Sequence, residues 1–235
     1  MDKIPPKTYD EYIQALSDVS RAITSDLYIG DILKLVVLVT AKVTGVDICS
    51  LWLVEEGENP ARLRLEATQA MDPDYLADRT LGMGEGIVGY VARKRQPMYV
   101  LDVLSEPRFK EKDMAKRLGL ASMISVPLIL SDEVIGVLNC FTRTSHVFTD
   151  TETNLITGVA NQASVAISNA RLLVRTRVIE EELATRKKIE RAKEILMARR
   201  NLTGEQAFRA LQKKSMDSRK SLREIAEAII LSEDI

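Results

Sequence analysis

The sequence predicts an α+β domain, a mostly antiparallel sheet flanked by helices, joined by a long helix to an all-α segment of three helices. Three observations carry that expectation. Stretches rich in β-formers or alternating in polarity cluster between residues 48 and 141. Residues 151–185 run without proline and with Gly158 as their single glycine, and nothing beyond residue 186 has the pattern of a strand. A chain of 235 residues has room for one large domain or two modest ones.

The elements follow in order. Residues 9–24 and 28–44 read as amphipathic helices. In the second, Ile29, Ile32, Leu33, Val36, Val37 and Val43 recur at helical spacing and Gly45 stops it. Ile48 to Val54 is β-rich, Arg62 to Ala67 alternates as a half-buried strand, and Asn59-Pro60 marks the turn between them. A helix of only Ile87–Lys94 follows, then a short strand over Pro97–Leu101. Ser122–Leu130 and Val134–Phe141 flank Ser131-Asp132-Glu133 as a hairpin. In the long helix, Val159, Ala163, Ala166, Ala170 and Leu173 form an Ala-rich seam suited to close helix packing, and a seam of this kind can serve a dimer.

The C-terminal part continues with a helix over Arg186–Arg199 that breaks at Asn201. A second helix opens at Thr203, a residue type that caps helix starts, and runs to about Lys214. A third, over Arg219–Leu231, would be capped by Ser218 or Asp217. Helices of about a dozen residues are marginal alone and must pack together. Ile189/Leu196, Ala207/Leu211 and Leu222/Ile225/Ile229 supply the small core that requires.

Composition excludes several classes. Apolar residues make up 46% and charged residues 29%, ordinary values for a globular chain. The N-terminus lacks the apolar segment of a signal peptide, and the run near Leu33–Ala41 is too short to span a bilayer, so the expectation is a cytoplasmic protein with no membrane contact. Cys49 and Cys140 form no C-x-x-C and read as buried thiols in a reducing compartment. With one histidine, His146, neither a zinc site nor a Cys–His or Ser–His catalytic pair is assigned. No P-loop and no receiver-type aspartate cluster is present.

Gly84-Glu85-Gly86-Ile87-Val88-Gly89 matches G-x-G-x-x-G, with Asp102 18 residues after Gly84. Two features argue against a dinucleotide site. Asp78 to Met83 reads as a polar loop rather than a strand, and the following helix is too short for a parallel crossover. The glycines read as a turn and a close helix approach.

Charge divides the chain. Residues 183–235 hold 13 basic and 8 acidic side chains, a balance of +5, which leaves −6 on the remainder. Over 186–223 the balance reaches +9, spread over all three helices and around residues 213–220, as a phosphate-facing patch would be. Lys193, Arg200, Lys213, Lys214, Arg219 and Lys220 are the candidates for RNA contact. Phe208 is the one aromatic there, which favours recognition of a folded hairpin by shape over extensive base stacking.

Two family resemblances account for these pieces. Residues 10–175 resemble a GAF domain, the small-molecule sensor module. The matching stretches are Gly84 to Val91, Pro97 to Asp102, the Ser125-Val126-Pro127-Leu128 and Ile135-Gly136-Val137-Leu138 hairpin, and Phe148-Thr149 through Ala160-Asn161-Gln162-Ala163. Residues 185–235 resemble the ANTAR family of RNA-binding antiterminators. That match rests on Ile189 to Met197, Glu205-Gln206-Ala207-Phe208, Leu211, Ser215-Met216 and Ile225 to Ile229, with Gln212 where Arg is commoner.

The resemblances imply a GAF sensor over 1–172, a helical coiled-coil linker over 173–185 and an ANTAR RNA-binding domain over 186–235. They further imply a bacterial ligand-responsive antitermination regulator, a homodimer that binds paired hairpins in leader RNA. No cofactor is identified. The GAF pocket takes an unknown small metabolite, or the domain serves only in dimerisation. Residues 105–113 contain Phe109 but not the Asn-Lys pattern of GAF domains that bind cyclic nucleotides, no cysteine is placed for a bilin, and His146 is poorly placed as a haem ligand.

Two other classes compete. Ser221 to Ala226 resembles the opening of a helix-turn-helix, but the apolar and acidic residues 227–231 that follow offer no recognition helix for DNA. Some GAF-like domains reduce free methionine sulfoxide with loop cysteines, whereas Cys49 and Cys140 read as strand residues, so no enzyme activity is expected.

Overall fold

In a computed structural model, the described residues are 29–55, 57, 60–71 and 79–232. The helix read over 9–24 and part of the turn at Asn59-Pro60 lie outside them. The chain divides into two compact units, residues 1–171 and 172–235.

Unit one is built on a six-stranded sheet in the order β3-β2-β1-β6-β5-β4, every neighbouring pair antiparallel. Helix α1 (Ile29–Thr44) ends at Gly45, whose φ of +74° closes the last turn through an N–H to the Ala41 carbonyl. The strands are β1 (Ile48–Val54), β2 (Arg62–Thr68), β3 (Thr80–Gly82), β4 (Met98–Val100), β5 (Ser122–Leu130) and β6 (Glu133–Thr142). Helices α2 (Gly86–Lys94) and α3 (Lys112–Leu118) lie between β3 and β5. Ser131 and Asp132, both at positive φ, form the two-residue loop of the β5–β6 hairpin, a backbone that matches strand twist.

Strand β1 lies between β2 and β6, and its alternation feeds two cores. Cys49, Leu51 and Leu53 face α1 and the start of the long helix, packing with Val36, Ile156, Ala160 and Ala163. Ile48 and Trp52 face the other way, toward Val91 of α2 and Met114 of α3. The sheet is therefore covered on both sides, and its central strands read as apolar runs.

The long helix α4 spans Asp150–Arg200, 51 residues without interruption, and ends at Asn201 in the left-handed region. In unit two, α5 (Gly204–Ser218) and α6 (Leu222–Leu231) each begin with a reciprocal capping box, Thr203 with Gln206 and Ser221 with Glu224. Ala192, Leu196, Ala207, Leu211, Ile225 and Ala226 form the core of this unit.

Five sequence expectations change. Residues 80–82 form a short edge strand rather than a loop. Helix α3 was not anticipated, and α5 runs four residues beyond Lys214. The third C-terminal helix starts at Leu222 with Ser221 as its cap, because Arg219 takes a left-handed conformation that a helix start cannot use. Finally, four of the five seam residues, Val159, Ala163, Ala166 and Ala170, are already buried within the single chain, at 5% exposure or less, and Leu173 alone is exposed. The Ala-rich face of α4 is therefore spent on its own domain and is not free as a dimer seam.

Candidate RNA interface and sensor cavity

The six candidate cations fall in two places. Lys193 and Arg200 lie seven residues apart on α4 and so share a face of that helix. Lys213, Lys214, Arg219 and Lys220 gather at the end of α5 and in the turn to α6. Arg200 precedes the 15-residue helix α5 and Arg219 follows it, so these two residues flank opposite ends of that helix.

Ion pairing separates them further. Lys193 Nζ lies 2.9 Å from Glu190 on its own helix, with its side chain 21% exposed. Lys188 and Arg223 share Glu227, and Arg209 pairs with Glu205. Glu227 is held below the usual carboxylate range by its hydrogen bonds from Lys188 and Arg223. Among the described residues, no carboxylate pairs with Arg200, Lys213, Lys214, Arg219 or Lys220.

The α5–α6 turn has an unusual backbone for its sequence. The Arg219 N–H donates to the Met216 carbonyl and the Lys220 N–H to the Ser215 carbonyl, the closure in which glycine normally takes the left-handed position. Arg219 occupies it at φ +53°. Beside it, Met216 is 79% exposed. Met216 is thus an exposed apolar side chain in a segment that carries Lys213, Lys214, Arg219 and Lys220 within four residues on either side of it. Its exposure was not legible in the sequence, where Met216 sits among polar residues like any helix-end side chain.

In unit one, the glycine motif shapes packing. A Cβ on Gly89 would clash with the Gly82 carbonyl oxygen, so only glycine lets α2 approach the end of β3. The Gly84 N–H bonds the Gly89 carbonyl at 2.8 Å. Between α2 and the sheet lies a cavity of about 20 Å³, lined by Trp52, Gly86–Val88, Phe109–Glu111, Met123, Asn139 and Phe141.

The two thiols sit side by side. Cys49 pairs directly with Cys140 across β1 and β6, Sγ to Sγ 3.6 Å, both fully buried. Burial, then Cys140 itself, pushes the Cys49 thiol well up, which suppresses the reactive thiolate. His146 is a partner of the α4 cap: its Nε2 lies 2.9 Å from Glu152, whose other oxygen accepts from the Thr149 N–H and hydroxyl. Among the described residues no cluster of three or more His, Cys, Asp or Glu could hold a metal ion, and no helix is long and apolar enough to cross a membrane.

A six-stranded antiparallel sheet covered on both faces, followed by a basic helical unit, defines a two-domain α+β and all-α class of protein. The GAF domain model matches residues 29–167 and the ANTAR domain model residues 177–230. The chain belongs to the GAF family and carries an ANTAR domain after it.

Curated relatives include a dual 3′,5′-cyclic-AMP and -GMP phosphodiesterase 11A from Takifugu rubripes, 24% identical over 83% of this chain. A phosphoenolpyruvate-dependent phosphotransferase system protein of Escherichia coli is 24% identical over 67% of it. The match spans about a fifth of the length of each. Among solved structures, the GAF domain of a Coxiella burnetii phosphoenolpyruvate-protein phosphotransferase superposes with TM-score 0.62 at 22% identity, covering 72% of this chain and 99% of that one. The free methionine-R-sulfoxide reductase of Neisseria meningitidis gives 0.57 at 21%, covering 71% and 95%. These likenesses establish the fold. GAF and ANTAR domains are typically non-enzymatic, although some GAF neighbours are methionine sulfoxide reductases.

Proposed function

We propose that this chain is a ligand-responsive, cytoplasmic antitermination regulator that binds paired hairpins in leader RNA through residues 186–235. The observation that carries the reading is the group of unpaired cations at the α5–α6 turn within the ANTAR match. A hairpin loop presents phosphates on a curved backbone and bases out of their stack, and the turn offers cations around an exposed apolar side chain. The GAF unit over 1–172 is the sensor, and the helical stretch 173–185 links the two.

Two hairpins call for two ANTAR units, hence a homodimer. Support comes from a stripe on α4 other than the Ala-rich face. Val165, Leu172, Ile179 and Leu183 are each more than 40% exposed. With Asn169 and Thr176 between them they recur at alternating three- and four-residue steps, the spacing of a two-stranded coiled-coil seam. A Leu172→Glu/Ile179→Glu chain that sediments like the wild type would remove that support.

The direct test titrates the full chain against an RNA with two six-nucleotide-loop hairpins, a loop-mutated copy and duplex DNA, at physiological salt. Tight binding to the intact RNA alone is expected. Equal, salt-sensitive binding to all three would reduce the patch to nonspecific phosphate attraction, and preference for the duplex would favour the DNA-binding class.

A further inference from the structure

Among the described residues, one buried side-chain polar atom has no hydrogen-bond partner: Nε1 of Trp52, on a residue 1% exposed. Buried donors are nearly always satisfied, because an unmade hydrogen bond costs about 1–3 kcal/mol. Trp52 forms part of the wall of the cavity between α2 and the sheet.

Leu81, Phe109, Met123 and Phe141 make part of that wall apolar, and the rest of it offers donors to an acceptor. Helix α2 begins at Gly86 with no side-chain cap, since Glu85 turns its carboxylate to the Gly82 N–H instead. The first intrahelical bond is made by Gly89, so the N–H groups of Gly86, Ile87 and Val88 have no partner in the helix. All three residues line the cavity. A helix N-terminus with free amides carries partial positive charge. Lys110 adds a cation, held in a long ion pair with Glu85 at 3.8 Å. Glu111, the one acid in the lining, is neutralised by Arg79 at 2.7 Å.

The floor is polar as well. Asn139, on β6, stands between its register partners Ser50 and Ser125, accepting from Ser125 Oγ at 2.7 Å and reaching Ser50 Oγ at 3.4 Å. About 20 Å³ holds one or two water-sized groups. One or two oxygens of a carboxylate or an inorganic oxyanion would fit there, and a purine base is far beyond it.

We infer that the cavity between Trp52 and the N-terminus of α2 binds a small oxyanion, with the indole N–H and the free amides of α2 as donors and Lys110 as the cation. This rests on reading unit one as a sensor and names the chemistry that it senses.

Trp52 is the single tryptophan of the chain, so intrinsic fluorescence reads the site directly. The full-length protein is titrated with formate, acetate, nitrate and inorganic phosphate at constant ionic strength against chloride, with emission and Tm recorded together. At least one oxyanion should shift emission saturably and raise Tm. A response to formate and acetate alone assigns a carboxylate, and a response to nitrate or phosphate assigns an inorganic ion. In Trp52→Phe, whose anion-free Tm reports folding, the Tm response should weaken about tenfold or more in affinity, the worth of a hydrogen bond to a charged group. Lys110→Met, at an exposed mouth position, should weaken it too.

No saturable response to any of the four, or a Trp52→Phe variant that keeps the full Tm response, would overturn the inference. Hairpin RNA affinity measured with and without the bound oxyanion separates the two claims. Binding at Trp52 without any change in RNA affinity leaves the site standing and removes its sensory role.

Discussion

Replacing Lys213, Lys214, Arg219 and Lys220 together by alanine removes the charge on which the RNA reading depends. Each cation that neutralises a phosphate contributes about 0.7–0.9 to the slope of log K against log salt. Four contacts carry a slope of about 3, which between about 50 and 200 mM salt amounts to some 60-fold in affinity. Among the described residues none of the four makes an ion pair with a carboxylate, although Lys220 lies in the field of Glu224, and substitution of exposed side chains moves stability by only about 0.5 kcal/mol. Fluorescence anisotropy with labelled double-hairpin RNA over that salt range gives the slope directly. The wild-type slope should fall by about 3 in the quadruple variant, and hardly at all in Lys193→Ala, whose charge is already engaged by Glu190. Arg219→Gly separates function from folding. Relief of the left-handed arginine should stabilise the chain by about 1 kcal/mol while RNA affinity drops. An unchanged slope in the quadruple variant, or a Lys193→Ala loss as large as that of any of the four, would refute the reasoning.

Three further outcomes are expected. Gly89→Ala, with its clash at the Gly82 carbonyl, should lower stability by more than about 2 kcal/mol, whereas Gly158→Ala, which meets nothing within 4 Å inside α4, should raise it by about 0.5–1 kcal/mol; thermal melts of both decide. Burial alone would raise the Glu152 carboxyl, but the Thr149 N–H and hydroxyl, with His146, outweigh it and hold it below the usual range. That lowered value adds stability above the unfolded carboxylate pKa of about 4.3, lost as pH falls through the folded value, so the Tm gap between wild type and Glu152→Gln should narrow below about pH 4.3. Cys49 and Cys140 should resist a thiol reagent in the native chain and both react in urea; rapid native labelling would contradict their burial.

The parts of the fold that the sequence made legible are those with long patterns. Alternation in Arg62–Ala67 and the paired runs around Ser131-Asp132 exposed β2 and the β5–β6 hairpin. Helix α3 has seven residues, too few for a helical period to stand out, and β3 has three, recognisable only by its pairing with β2. The Ala-rich face of α4 was correctly read as a close-packing surface, but spacing alone does not say whether a helix packs on its own domain or on a partner. Ser221-x-x-Glu224 was the cap signal for α6, masked by two earlier capping residues, Asp217 and Ser218. At the candidate sites, clustered charge was visible as composition, yet which cations are engaged depends on neighbours one helix turn away. Trp52 read as one more apolar strand residue, since an unpartnered indole N–H exists only once the core has closed around it.

The row formed by Ser50, Asn139 and Ser125 also governs how the sheet finds itself. A slip of one residue between β1 and β6 would turn every side chain to the wrong face and is forbidden by burial alone. A slip of two keeps the faces, but it moves Gly136 from its place opposite Leu53, where any Cβ would clash with the Trp52 carbonyl, and it misaligns the polar row. The polar row adds to that discrimination, because misaligned it strands three buried groups at about 1–3 kcal/mol each, a large share of a domain's total stability. The residues beneath the cavity thus act as the alignment mark of the central strands. A change of ligand preference made at Asn139 would loosen the register of the sheet as well, so specificity in this domain should evolve more freely at its rim than at its floor.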